Sequence, residues 1–264
     1  MKRQLSLFFV AVQFLTRMPV PRFEGFEPNW LSQSARYFPL VGTLVGWIGV
    51  GVWWLSSLCF PRAIAVGLMI SVTVLVTGAF HEDGFADVCD GFGGGATRDA
   101  ILAIMKDSRV GAYGAIGVTL ILGMKWATLT ALPRATFPAV VVGASMVSRW
   151  CATALIWRMD YVRNHPDAKS KPLADGLGTM DWLVSGLLGA IALLPLAFLL
   201  DFTADPPWWR ACLAAVTIAF AATFFAGRYF IRHIGGYTGD CLGAVQQITE
   251  LGIVLAALGV LAAH

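Results

Sequence analysis

Charge is what this chain has least of. Asp, Glu, Lys and Arg together make up 13% of its 264 residues, about half the share of an ordinary soluble domain. So little charge cannot cover a water-facing surface, which excludes a soluble globular enzyme as the overall class. The formal net charge is only +3, and nothing in so small an excess points to nucleic acid as a partner. Histidine is scarce: His81, His165, His233 and His264 show no zinc-type spacing. The five cysteines are odd in number and form no C-x-x-C pair, which argues against a disulfide framework. Cys59, Cys151, Cys212 and Cys241 read as small apolar helix residues. What the chain has instead is apolar length, 57% of its residues.

Several apolar runs are long enough to cross a ~30 Å hydrocarbon core. The reading is an all-α, polytopic transmembrane helix bundle of about seven spans plus short interfacial helices. The spans fall near 38–59, 62–80, 112–131, 136–157, 182–200, 208–229 and 243–262. Pro61, Pro133, Pro138 and Pro206-Pro207 punctuate them as turns between antiparallel helices. No room is left for a separate soluble domain, so residues 1–264 read as one integral-membrane unit in contact with the lipid bilayer. Leu5 to Leu15 is too short to span, and no small-x-small cleavage site follows it. It reads as an interfacial or re-entrant helix. With the N-terminus inside, the cytoplasmic segments carry 14 Lys and Arg, among them Lys2, Arg17, Arg98, Lys106, Arg109, Arg163 and Arg232. The opposite side carries Arg62, Arg134 and Arg210. That asymmetry places the polar motifs described next at the cytoplasmic face.

The most informative of these is His81-Glu82-Asp83-Gly84-Phe85-Ala86-Asp87-Val88-Cys89-Asp90-Gly91, which leads into Gly93-Gly94-Gly95. Four carboxylates stand within nine positions at the end of a membrane-length apolar run. Ionised acids there are costly unless compensated. If residues 83–90 are helical, Asp83, Asp87 and Asp90 lie within about 60° of one face. Such a stripe calls for a divalent cation, and all-oxygen donors suit Mg²⁺, Mn²⁺ or Ca²⁺. Cys89, among hard oxygen donors, reads as a bystander. The glycines offer bare backbone N–H groups to phosphate. A membrane-embedded metal site for phosphoryl chemistry follows, with Mg²⁺ as the cofactor and Glu82, Asp83, Asp87, Asp90 and Asp107 as candidate ligands. His81 abuts the cluster as a candidate proton acceptor.

Four further polar islands add to it. Lys106-Asp107-Ser108-Arg109 sets two cations around one acid, and both cations suit phosphate oxygens. Arg149 falls inside the fourth span, where an ionisable residue marks a functional site by default. Lys125 also falls inside a span, without an assigned role. The segment 161–180 carries Arg163, His165, Asp167, Lys169 and Lys171 and suits either a lid over an anionic substrate or a solvated connector. Gly235-Gly236-Tyr237-Thr238-Gly239-Asp240 opens the last span like an anion or nucleotide cradle, with Tyr237 able to stack on a base. Gln246 and Gln247 follow where a lipid-facing helix would carry Leu.

Five segments together resemble one family. They are Gln13-Phe14-Leu15-Thr16-Arg17-Met18-Pro19-Val20-Pro21, Tyr37-Phe38-Pro39-Leu40-Val41-Gly42, the block from Glu82 to Gly95, Met105-Lys106-Asp107-Ser108-Arg109, and Gly236-Tyr237-Thr238-Gly239-Asp240-Cys241-Leu242-Gly243-Ala244. In this order, over essentially the whole chain, they are similar to cobalamin synthase, the adenosylcobinamide-GDP ribazoletransferase family. The resemblance implies transfer of the phospho-cobinamide moiety of adenosylcobinamide-GDP to a ribose hydroxyl of α-ribazole or α-ribazole 5′-phosphate. GMP leaves and adenosylcobalamin, or its 5′-phosphate, forms as a late step of cobalamin biosynthesis. It also implies Mg²⁺ and the bacterial cell inner membrane. On this reading Asp87, Asp90, His81 and Arg149 act in catalysis, while Gly93, Gly94, Gly95, Lys106, Arg109, Tyr237, Thr238 and Asp240 bind substrate. Subunit number stays open, a homo-oligomer included. Asp87-x-x-Asp90-Gly91 is also similar to the start of the CDP-alcohol phosphotransferase signature, but the later Asp pair of that signature is missing here. The competing class is an ion-coupled secondary transporter, against which stand the lack of an internal repeat and the gathering of polar motifs at one face.

Overall fold

A computed structural model describes residues 2–21, 27, 29–162, 177–197 and 208–261. Of the segment 161–180, expected as a lid or a solvated connector, residues 163–176, with His165, lie outside these residues, as do Arg22, 201–205 and His264. The elements are α1 (Lys2–Leu15), α2 (Trp30–Ser34) running through a 3-10 turn (Ala35–Tyr37) into α3 (Phe38–Ser56), α4 (Arg62–Thr77), α5 (Phe80–Gly94), α6 (Arg98–Ile104), α7 (Ala112–Ala131), α8 (Phe137–Arg158), α9 (Thr179–Ala197), α10 (Trp208–Ile234) and α11 (Gly239–Leu261). The only β pairing among the described residues is a bridge between Tyr161 and Tyr237.

Among the described residues, five helical stretches are long and apolar enough to cross a bilayer: Trp30–Ser56, α7, α8, α10 and α11. A sixth is reached if α4 and α5 count as one broken span. The count of about seven is therefore not met by these criteria, for two reasons. α4 has 16 residues, which rise about 24 Å, short of the hydrocarbon thickness. In α9 the apolar stretch among the described residues is Thr179–Leu194.

The break between α4 and α5 shapes the molecule. The two helices meet at 88°, so α5 turns across the end of the bundle instead of continuing down the axis of α4. Gly78 stops α4 in the left-handed region at φ +64°, and Ala79 follows at φ +56°. Gly78 makes the turn without steric penalty, whereas a residue with a Cβ there costs about 1–2 kcal/mol. Arg17 braces the corner. Its backbone N–H donates to the Val76 carbonyl at 2.7 Å, satisfying an orphan acceptor at the end of α4. Its side chain fills the space where a Cβ on Gly78 would stand. Phe14 packs on Phe38 and on Phe80, with ring centroids 5.7 and 5.1 Å apart, and so ties α1 to the first residues of α3 and α5.

Small residues set the remaining approaches. Gly42 and Gly46, four apart on α3, let the α8 backbone come close: a Cβ on Gly42 would lie 2.3 Å from the Ser145 carbonyl oxygen and one on Gly46 2.8 Å from the Val142 Cα. Close backbone contact of this kind drives helix association where lipid removes the hydrophobic term. At the crossing of α5 and α11, a Cβ on Gly84 would lie 2.9 Å from the Asp240 Cα and one on Gly243 3.0 Å from the His81 carbonyl oxygen.

Candidate active site

All five segments that carry the family resemblance reach α5 or its immediate support. Arg17 sits at its entrance, and Phe38 touches it through Phe14. Gly91 of α5 packs on Met105 at the end of α6, and Asp240 and Gly243 cross it at Gly84. The helix expected over 83–90 is present and extends from Phe80 to Gly94.

The four acids of α5 part company. Asp90 is buried, and its carboxylate accepts the Gly111 N–H at 2.7 Å and the Gly114 N–H at 2.8 Å. Gly111 precedes the first residue of α7 and Gly114 lies in its first turn, so Asp90 caps α7 from a neighbouring helix, where a negative charge also suits the helix dipole. Glu82 turns into the bundle, where its Oε1 accepts the Gln247 amide at 2.9 Å. Asp83 is exposed and Asp87 half-buried. They stand one turn apart on the outward side of α5. Among the described residues no three His, Cys, Asp or Glu side chains converge into a metal cage, so the five-acid set does not gather around one ion. The donor chemistry of Asp83 and Asp87 still fits Mg²⁺, which commonly takes one or two carboxylates and completes its shell with water and substrate phosphate.

The glycines after the acids are occupied by protein. A Cβ on Gly93 would strike the Tyr113 ring at 2.6 Å, and one on Gly95 would come within 2.7 Å of Ile101; Gly94 is the last residue of α5. Their bare Cα atoms admit close packing of α6 and α7. Thr97 then caps α6 by accepting the Ala100 N–H at 3.3 Å, and Arg98 donates from Nε to the Ile234 carbonyl at 3.0 Å, closing the end of α10.

The loop between α6 and α7 is exposed. Arg109 and Asp107 form a bidentate pair, with Nη2 to Oδ2 at 2.5 Å and Nε to Oδ1 at 3.0 Å. The Arg109 hydrogen bonds hold the Asp107 carboxyl at about 2. Asp107 is thus engaged with Arg109, and Lys106 extends into solvent beside it. At the start of α11, Tyr237 is fully buried, pairs with Tyr161 at 5.4 Å between ring centroids, and exchanges backbone hydrogen bonds with Asp160 and Val162. Burial pushes its phenol pKa up. As placed, its ring is not open to stack on a base. Thr238 is also buried and accepts the Cys241 N–H at 3.4 Å as a helix cap, and its hydroxyl lies 3.4 Å from the Asp240 carboxylate.

Beneath the first turn of α5 lies a second, intramembrane group. Lys125 donates to Glu250 at 2.5 Å and to the Gln247 Oε1 at 2.6 Å. Ser145 donates to the other Glu250 oxygen at 3.0 Å. Arg149, buried to 3% exposure, donates from Nη1 to the Ser145 carbonyl at 2.8 Å. The chain Ser145–Glu250–Lys125–Gln247–Glu82 therefore runs through α8, α11 and α7 to α5. His81, also buried, lines the same cavity as Glu82, Lys125, Arg149 and Glu250.

A family model described as cobalamin-5-phosphate synthase matches residues 7–258. The chain belongs to that family. Relatives named adenosylcobinamide-GDP ribazoletransferase come from Leptothrix cholodnii, 43% identical over 96% of this chain and 94% of the relative, and Shewanella frigidimarina, 43% identical over 98% and 96%. Another, from Vibrio vulnificus, is 40% identical over 97% of each chain. No solved structure matches.

Within this family member, Glu250 is the residue that sequence reasoning passed over, and Lys125 the one it left without a role. The signal was present: each is an ionisable residue well inside an apolar span, where partners are required. Lys125 lies 13 residues into α7, roughly 20 Å from its start, so polar groups do not all gather at one face as the sequence suggested. Chemically, α5 presents two different sides: Asp83 and Asp87 outward, and inward Glu82, hydrogen-bonded to Gln247 above the Lys125–Glu250 ion pair.

Proposed function

We propose that this chain is an adenosylcobinamide-GDP ribazoletransferase. It moves the phospho-cobinamide moiety onto a ribose hydroxyl of α-ribazole or its 5′-phosphate, and GMP leaves. The observation that carries the reading is the family match over residues 7–258, whose characteristic segments all bear on α5. The enzyme works in the bacterial cell inner membrane with α5 at the cytoplasmic face, the side richer in Lys and Arg. Counting α4 and α9 as crossings beside the five long stretches gives its seven spans.

Asp83 and Asp87 are the residues that would hold Mg²⁺ on the outward side of α5. When bound, the ion neutralises charge on the diphosphate and on the departing GMP. The α6–α7 loop brings Lys106 and Arg109 to the same side, Arg109 oriented by its fork with Asp107, so that both attract the diphosphate and offset its charge. Asp90 contributes by fixing the start of α7, and with it that loop, against α5. A carboxylate of the outward side not saturated by metal takes the proton of the attacking hydroxyl; His81, buried under the first turn, faces the other side of α5. Arg149 lines the same cavity as Glu82, setting a positive charge behind the acid face of α5.

Membranes containing the protein should release GMP from adenosylcobinamide-GDP only when α-ribazole and Mg²⁺ are both present. GMP release that ignores α-ribazole would overturn the transferase reading.

A further inference from the structure

The polar chain beneath α5 has a direction. Lys125 can only donate, and it donates to Glu250 and to the Gln247 Oε1 at 2.6 Å. The Gln247 amide therefore turns its NH₂ group the other way, where it donates to the Glu82 Oε1 at 2.9 Å. Glu82, as a carboxylate, can only accept. Reversing the amide would set NH₂ against ammonium and oxygen against carboxylate, so the order Lys125–Gln247–Glu82 admits one arrangement. Ser145 steadies the far end by donating to Glu250 at 3.0 Å.

Gln247 is 1% exposed, in a bundle where lipid offers no replacement partner. The second oxygen of Glu82, Oε2, is buried and makes no hydrogen bond. Among the described residues, the inward turn of Glu82 therefore depends on Gln247. That turn sets the whole helix. Successive helical residues step by about 100°, so Asp83 stands ~100° and Asp87 ~140° round α5 from Glu82. About 12 Å further along α5, Asp90 ties the helix to the start of α7. Asp83 and Asp87 thus lie between two polar ties, one to α11 and one to α7. The close contact of Gly84 with the Asp240 backbone brings α5 and α11 together but has no side chain on Gly84 to lock the rotation.

We propose that Gln247 is a positioning residue: through Glu82 it fixes the rotation of α5 that presents Asp83 and Asp87 together, and Lys125 fixes the polarity of its amide. Gln247 acts from inside the bundle and touches neither ion nor substrate. The assignment rests on the transferase reading above, in which those two acids serve the metal, and it gives Glu82 a role other than metal ligand.

The test breaks the tie and then rebuilds it in reverse. Gln247→Leu removes the donor and keeps a side chain of similar size. GDP-dependent Mn²⁺ uptake by the purified protein, followed by electron paramagnetic resonance, should weaken at least tenfold, and the half-saturating Mg²⁺ concentration for turnover should rise by at least as much. Gln247→Glu, which sets carboxylate against carboxylate, should lose as much and serves if Gln247→Leu does not accumulate. Adding Glu82→Gln to Gln247→Glu restores the order of donors and acceptors: an amide on α5 donates to a carboxylate on α11, which still accepts from Lys125. This exchanged pair should return Mn²⁺ uptake and the Mg²⁺ requirement to within threefold of native. Native Mn²⁺ uptake in either folded single variant overturns the proposal. So does an exchanged pair no better than Gln247→Glu alone, a result that would return Glu82 to the metal. Loss and recovery of Mn²⁺ uptake in a protein that releases no GMP would count against the transferase reading and leave the positioning role standing.

Discussion

Asp90 offers a sharp choice between two roles for one carboxylate. As a metal ligand, its loss would weaken Mg²⁺ binding; as the cap of α7, its loss would weaken the fold. Asp90→Asn keeps the shape but replaces one oxygen with an NH₂ group, which must then face a backbone N–H. One charge-assisted hydrogen bond is lost, about 1.5–3 kcal/mol, together with roughly 0.3–2 kcal/mol of favourable interaction between the carboxylate and the α7 dipole. A sum of about 2–5 kcal/mol corresponds to a fall of roughly 4–15 °C in the melting midpoint for a chain of this size. The assay is thermal unfolding of purified protein in detergent, paired with a Mg²⁺ titration of turnover below the midpoint. The cap reading expects a lowered midpoint and an unchanged half-saturating Mg²⁺ concentration. A native-like midpoint with a tenfold higher Mg²⁺ requirement would refute it and return Asp90 to the metal.

Lys125→Met leaves Glu250 charged and unpaired in the bundle and should cost about 3–5 kcal/mol, read as a lowered melting midpoint; adding Glu250→Gln should recover most of it, and no recovery would mean the pair is not the relevant unit. Arg149→Lys should melt within a few degrees of the native chain but lose at least tenfold in turnover, since an ammonium cannot both reach the Ser145 carbonyl and present a second N–H where Nε stands; full turnover would make the residue a packing element. In intact cells, an impermeant thiol reagent should label a cysteine placed near Ala204 and not one near Ser170, and the reverse pattern would invert the orientation of α5.

How far the sequence could be read depended on whether an effect was local. The helix under Asp83, Asp87 and Asp90 follows from spacing alone and is where the spacing puts it, but the expected single stripe divides, because Asp90 turns onto the start of α7. Arg149 announced itself as an ion inside an apolar run. The right-angled bend did not: Gly78-Ala79 is an unremarkable pair in sequence, and only Arg17, more than sixty positions away, shows why the chain turns there. The glycines at 93–95 read as offering N–H groups to phosphate, yet Gly93 and Gly95 admit Tyr113 and Ile101, much as Gly111 and Gly114 admit Asp90. Such contacts are set by which helices cross, which a one-dimensional pattern does not contain. Tyr237 illustrates the same limit, since its burial depends on the pairing with Tyr161.

The claim on which the account turns is that phosphate and metal meet on the outward side of α5, at Asp83 and Asp87. Mn²⁺ binding followed by electron paramagnetic resonance, with GDP present to supply phosphate oxygens, tests it directly. The native protein should take up Mn²⁺ in a GDP-dependent way, Asp83→Asn and Asp87→Asn should each abolish that uptake, and Asp107→Asn should retain it. Uptake that survives in the Asp83→Asn, Asp87→Asn double variant would contradict the account.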